Sequence, residues 1–295
     1  MSTNNVYQES HIPTQLERCW NTFQRNTLAM FGLWYLGFLL LISILAPIIE
    51  PHDPNYSSIH LLLPPSWYQE GDISYFLGTD DLGRDILSRL LNGTRITFGF
   101  ALCIAILAAL IGCTIGAIAG MTQGLISSTL NHLLDTIMSI PSLLLAVIFV
   151  AFFGFGEMNV LIAIGIALIP RFIRAIYISV HNEMEKDYVT AARLDGSSGL
   201  SLFISTVLPN ILVVLAHEAT YALSIAILDI TALGFLGLGA QSPTPEWGTM
   251  IGDSVSLIYS SIWTVALPGL AIMLTIIAIN LVGNGVRQAL NSGIE

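Results

Sequence analysis

Charge is what this chain has least of. Asp, Glu, Lys and Arg make up only 10% of its 295 residues, against about a quarter in an ordinary soluble domain. A water-facing surface cannot be assembled from so few charges, and the 54% hydrophobic content and mean hydropathy of +0.74 indicate a membrane protein. Lysine is nearly missing: Lys186 is the only one. A phosphate-binding loop needs Gly-x-x-x-x-Gly-Lys followed by Ser or Thr. Lys186 stands between Glu185 and Asp187, so any nucleotide hydrolysis belongs to another polypeptide. The three cysteines, Cys19, Cys103 and Cys113, have neither metal-ligand nor disulfide spacing. His217-Glu218 starts like a zinc-protease helix, but Tyr221 occupies the second histidine position, which leaves one ligand per turn. A Gly-x-Ser-x-Gly nucleophile elbow is absent. The formal net charge of −10 argues against nucleic-acid binding. The expectation is a chain with no catalytic residue, no metal and no cofactor of its own.

What is present is a series of apolar runs near the ~20 residues that cross a bilayer. They lie at Leu28–Ile49, Ile96–Gly120, Thr136–Gly156, Met158–Pro170 extended through Ile178, Phe203–Leu238 and Trp263–Gly285. The fold class read from them is all-α, an integral membrane protein with about six spans. The polar start Met1–Asn26 precedes a run of full spanning length, so the first apolar segment should remain as an anchor. Arg171 and Arg174 interrupt the fourth run and are expected to snorkel toward lipid headgroups. The positive-inside rule favours both termini inside, with Arg18, Arg25, Arg171, Arg174, Lys186, Arg193 and Arg287 on that side. The outer face then carries Glu50, Asp53, Glu70, Asp72, Asp80, Asp81 and Asp85, a field that raises the local concentration of cationic ligands.

Asp187–Asn210 is a polar segment between two spans. It places the small residues Ala191 and Ala192 on a short helix, breaks the helix at Gly196 and reaches Leu208-Pro209 at the start of the fifth span. Such a segment suits docking of a soluble partner. Small alanines let the backbone sit deep in a groove, Tyr188 offers an aromatic anchor, and Gly196 permits a turn that a side chain would obstruct. Its bland alternative is an exposed loop. Glu218 and Asp229 are carboxylates inside the fifth run, nearly on one helical face. They read either as a polar translocation path or as buried groups satisfied by neighbouring helices. Gly112, Gly116 and Gly120 form a small-xxx-small stripe, read as internal packing or as a subunit contact. Gly78–Arg95 reads as a salt-bridged interfacial helix with Arg89 and Arg95 near lipid, or as a contact for an external protein. Trp247 is expected in the interfacial aromatic belt.

Ala191-Ala192, Gly196 and Leu208-Pro209 keep the spacing of the cytoplasmic EAA loop of ABC importer permeases. The segment resembles that loop with Thr190 in place of the Glu and Thr206 in place of the Ile. Leu77–Arg89 continuing to Gly93 and Arg95, and Phe235–Gly239 with Pro245-Glu-Trp-Gly248, Pro268-Gly269 and Asn280–Arg287, resemble the dipeptide, oligopeptide and nickel branch. Asn284 stands where that branch has Asp, and its usual acidic residue falls on Ile230, one after Asp229. Asn131–Asp135, Leu194-Asp195 and Ile227–Asp229 look most like the C-type permeases of Sap transporters, a group associated with resistance to antimicrobial peptides. The resemblance implies a type I importer permease fold. Its organisation would be a cytoplasmic segment 1–27, a first span 28–49, a periplasmic loop 50–95, a permease core 96–285 with a coupling segment 181–205, and a cytoplasmic tail 286–295. It implies coupling to an ATPase through Tyr188, Thr190, Ala191, Ala192, Leu194, Gly196 and Pro209. The implied partners are a second permease, two ATPase subunits using ATP and Mg, a periplasmic solute-binding protein and membrane lipid, in a bacterial inner membrane. Dipeptides, oligopeptides or nickel are alternative cargoes, although the six histidines do not cluster as a nickel site would suggest. A proton-coupled carrier using Asp229 is an alternative of a different class.

Overall fold

In lipid the backbone must satisfy its own hydrogen bonds, which leaves helices as the form these apolar runs can take. The computed structural model describes residues 14–122 and 125–294. An amphipathic α1 (Gln15–Arg25) opens with a capping box, in which Thr14 accepts from the Glu17 amide and the Glu17 carboxylate accepts from the Thr14 amide. Asn26 then caps α2 (Thr27–Ile49). α3 (Ile86–Thr94) passes through a π turn at Arg95–Gly99 into α4 (Phe100–Met121). α5 (Leu125–Met138) and α6 (Ser142–Phe153) meet at a sharp elbow, followed by α7 (Glu157–Met184) and α8 (Asp187–Leu194). α9 (Gly199–Leu202) leads through a second π turn, Phe203–Val207, into α10 (Leu208–Phe235), α11 (Trp247–Ser254) and α12 (Trp263–Ile294).

Among the described residues five helical runs are long and apolar enough to cross a membrane, and the α5–α6 pair brings the number to six if it is one broken span. The elbow turns by 87°. Its sequence cause is Pro141, which has no N–H for the preceding turn and disfavours helix at the residue before it. At the far end of α6, Gly154 and Gly156 adopt φ of +91° and +130°. The Asn159 side chain donates to the carbonyls of Phe153 and Gly154 there, closing a tight connection to α7. The described ends of the chain meet: Asn26 donates to Gln288, Ser292 to Thr22, and Phe23 packs with Ala289.

The most extensive helix contact joins α4 and α7. A Cβ added at Gly112 would stand 2.6 Å from Phe172 Cβ, one at Gly116 2.8 Å from the Ile173 carbonyl, and one at Gly120 2.8 Å from Val180 Cβ. The stripe is therefore an internal seam, in which glycines admit the ridge Phe172, Ile176 and Val180, each at most 1% exposed.

Several expectations are corrected. The helical run that contains the second span begins ten residues earlier, at Ile86, because the charged helix before it is continuous with it. Pro209 does not open the fifth span: the helical run starts at Gly199, and the π turn before the proline absorbs the hydrogen bond that it cannot make. Arg171 and Arg174 each have a carboxylate partner within the chain. Arg89 and Trp247 are 2% and 1% exposed and so do not lie among headgroups.

Gly116→Leu is expected to lower the thermal unfolding midpoint of the purified chain in detergent, at about 1–3 kcal/mol for the overpacking. An unchanged midpoint, with only subunit assembly affected, would contradict the internal seam.

Candidate functional site

The segment from α7 to α10 is built to present one helix. Val189 is fully buried and pins α8 from below, while the Tyr188 hydroxyl accepts from the Asn210 amide at 3.2 Å and ties α8 to α10. Asp187, Thr190, Ala191 and Leu194 are exposed. Their spacing of i, i+3, i+4 and i+7 places them on one face, with Leu194 83% exposed at its end. Ala192 is half-buried behind that face. The helix ends in a Schellman arrangement: the Gly196 amide donates to the Arg193 carbonyl and the Ser197 amide to that of Ala192. Gly196 has φ +87°, and no atom lies within 4 Å of where its Cβ would be. Its requirement is thus backbone conformation, not space. Pro209 is exposed and immediately precedes Tyr188's partner Asn210 on the same run. Gly199 lies against Met121, so the segment sits at the α4 end remote from residues 50–85.

A second polar feature lies among the spans, at the α5–α6 elbow. Arg171 on α7 donates through Nε to Glu218 on α10 at 3.1 Å, and its guanidinium lies 3.6 Å above the Tyr221 ring. Three residues along α7, Arg174 pairs with Asp135 at 3.4 Å and contacts Asn131, both on α5. Asp229, two turns beyond Tyr221, is 6% exposed. It meets the Ser142 side chain at the start of α6 and leaves Oδ2 without a partner among the described residues. Glu218 and Asp229 are both buried, but the structure gives them different neighbours, α7 for one and α6 for the other. A polar cleft of about 210 Å³ opens beside the elbow, lined by Ser142, Arg171 and Tyr221 among apolar neighbours, with Glu218 and Asp229 outside its lining. Tyr221 and Ser142 were not singled out in the sequence. The available signal was Arg171, an arginine inside one apolar run, with Glu218 of opposite charge inside another.

Residues 112–295 match the family model described as "binding-protein-dependent transport system inner membrane component". The chain belongs to this family. Residues 14–65 further match the N-terminal membrane domain of oligopeptide transport permease C. The peptide transport system permease protein SapC of Salmonella typhimurium is 49% identical, over 100% of both chains. The di/tripeptide transport system permease protein DppC of Pseudomonas aeruginosa is 42% identical, over 96% of this chain and 94% of its own. In fold, the chain resembles the inward-facing MetNI methionine ABC transporter with a TM-score of 0.58 at 16% identity, over 68% of this chain and 96% of that one.

At the other end of this permease, residues 50–85 wrap around α3 and join it to α11. Asp80 binds Arg84 at 2.7 Å and Arg89 at 3.6 Å. Arg89 donates to the carbonyls of Pro54 and Pro243, so one buried guanidinium ties the 50–85 segment to the α10–α11 connection. Asp85 caps α3 through Ser88, and Trp247 donates to the Leu90 carbonyl at 3.1 Å. Glu246 is 1% exposed and does most to fasten α11. Its carboxylate accepts from the Gly248 and Thr249 amides at 2.8 Å and from Thr97 on the second span at 2.9 Å. Burial pushes this carboxyl up from the usual range, and those three donors pull against the rise.

Glu246→Ala removes a helix cap and leaves Thr97 without its acceptor. The expected loss is about 2 kcal/mol or more, read as a lower unfolding midpoint in detergent. A midpoint equal to that of the unmutated permease would refute this role.

Proposed function

We propose that the chain is one of two permease subunits of an ATP-binding-cassette peptide importer in a bacterial inner membrane. It forms one wall of the translocation path and takes its driving force from separate ATPases. The observation that carries this is the exposed face of α8. A helix anchored by Val189, terminated at Gly196 and presenting Asp187, Thr190, Ala191 and Leu194 outward is a rigid knob at the end of two spans. ATP and Mg act in the partner subunits, whose closure would push on that knob. Tyr188 serves by bracing it through Asn210. In this reading the α8 side is cytoplasmic, which places both termini there. A solute-binding protein delivers cargo to the opposite face.

Peptides are the cargo, as the names of the SapC and DppC relatives say of those proteins. Cationic peptides of the Sap type fit the outer face. Asp80 is buried in an internal ion pair with Arg84 and Asp85 is buried as the cap of α3, but Asp53, Glu70, Asp72 and Asp253 remain exposed and set a negative field. Neutral dipeptides or oligopeptides on the same machinery are the second reading, favoured by the identity to DppC.

Gly196→Val puts a β-branched residue at φ +87° and should undo the end of α8. Co-purification of the ATPase subunits with the tagged permease, coexpressed as the whole transporter, should fall about tenfold for a strain near 1.4 kcal/mol. Gly237→Val, at φ +71° and equally open space, is the matched control away from α8 and should retain the ATPases. Full retention by the Gly196 variant would remove α8 as the coupling element.

A further inference from the structure

The corner between α7 and α8 is very short. α7 ends at Met184, Glu185 keeps a helical backbone, and Lys186 is extended at φ −77° and ψ 147° before α8 starts at Asp187. The backbone closes the corner from both sides. The Lys186 amide donates to the Glu183 carbonyl at 3.2 Å, and the Lys186 carbonyl accepts from the Val189 and Thr190 amides. No side chain caps the start of α8, so the direction of the helix hangs on the soft torsions of one residue. Burial of Val189 holds α8 down, but apolar burial is non-directional.

Lys186 is the only lysine of the chain, and its side chain turns back across that corner. Its Nζ lies 2.8 Å from Oε2 of Glu183, and the two side chains are 54% and 8% exposed. Glu183 stands in the last turn of α7, where the negative end of the helix dipole disfavours a carboxylate. Lys186 is the one cation paired with it among the described residues, and Oε1 has no partner there. An ion pair between two exposed groups is worth little, but this carboxylate has been taken out of water and depends on its partner. The same ammonium lies 5.9 Å from the centre of the Tyr188 ring, within reach of a cation–π contact. Lys186 therefore stands between the end of α7 and the aromatic residue that braces α8 on Asn210.

We infer that Lys186 is a positioning residue for the coupling helix: by pairing with Glu183 across the corner it makes α7 and α8 one rigid body, so that a push on α8 reaches the spans through α7. The inference rests on the importer reading and deepens it, since it names the residue pair that passes the movement on.

Spin labels at Met158→Cys and Asp195→Cys, both exposed positions at the far end of α7 and the end of α8, read the corner directly. They are placed in a chain whose Cys19, Cys103 and Cys113 are alanine, within the whole transporter in nanodiscs, its other subunits cysteine-free. α7 alone separates Met158 from Met184 by about 39 Å, a span that double electron–electron resonance resolves. The unmutated corner should give one narrow distance that does not change when ATP and vanadate close the ATPases. The pair Glu183→Gln with Lys186→Met removes the tie and leaves no buried charge alone. It should broaden the distribution and make it shift with nucleotide by about 4 Å, the displacement of the end of a 12 Å helix turned by about 20°. Lys186→Arg keeps the charge and should match the unmutated corner. A double variant as narrow as the unmutated chain overturns the inference, and so does an unmutated distance that itself shifts with nucleotide. Loss of the ATPases by the double variant without broadening also overturns it, because Lys186 would then touch the ATPase rather than position α8. An unmutated transporter that retains no ATPase removes the importer reading, while the nucleotide-free widths still decide the tie.

Discussion

The close seam between α4 and α7 is the contact on which the remaining geometry depends. Lipid offers no hydrophobic drive for helices to associate, so they hold together through close van der Waals contact and polar pairing. Three glycines one turn apart provide the first, because Phe172, Ile176 and Val180 sit where side chains would otherwise stand. With α7 drawn in this far, Arg171 and Arg174 face Glu218 on α10 and Asp135 on α5. The same two helices lead to both ends of the permease. α4 continues from the rod that carries Thr97 to Glu246, and α7 runs directly into α8. The packed route from α8 to the α10–α11 connection is therefore short and made of rigid elements.

The scarcity of charge is matched by how thoroughly the interior charges are paired. A charged group removed from water is expensive unless a partner and hydrogen bonds replace its hydration. Arg89 has Asp80 and two carbonyls, and Glu246 has three donors. Arg171 has Glu218 and an aromatic face. The pairing has gaps: Asp81, Asp85, Glu183 and Asp229 each leave one buried carboxylate oxygen without a partner among the described residues.

The spans were legible because twenty apolar residues have few other uses, and α2 begins and ends within a residue of where composition put it. The break at Gly196 was legible for a similar reason, since a left-handed residue after a short helix favours glycine. What was not legible was the direction in which amphipathic side chains turn. Trp247 suits a lipid interface as well as it suits the pocket against Leu90, and Arg89 could reach headgroups as readily as Asp80. Tertiary packing decides between these, and no local pattern records it. Pro209 misled for a related reason: a π turn upstream accommodates a proline that would otherwise end the helix. The elbow at Pro141 lay inside a run whose hydropathy gave no sign of an 87° turn.

A transport path has to bind cargo well enough to admit it and weakly enough to release it. A guanidinium left alone among the spans would attract anionic groups strongly, because nothing else would replace its lost hydration. Arg171 is not alone: Glu218 engages its Nε and the Tyr221 ring covers its face. The contact that ties α7 to α10 therefore also limits how strongly charge at this place can attract a solute.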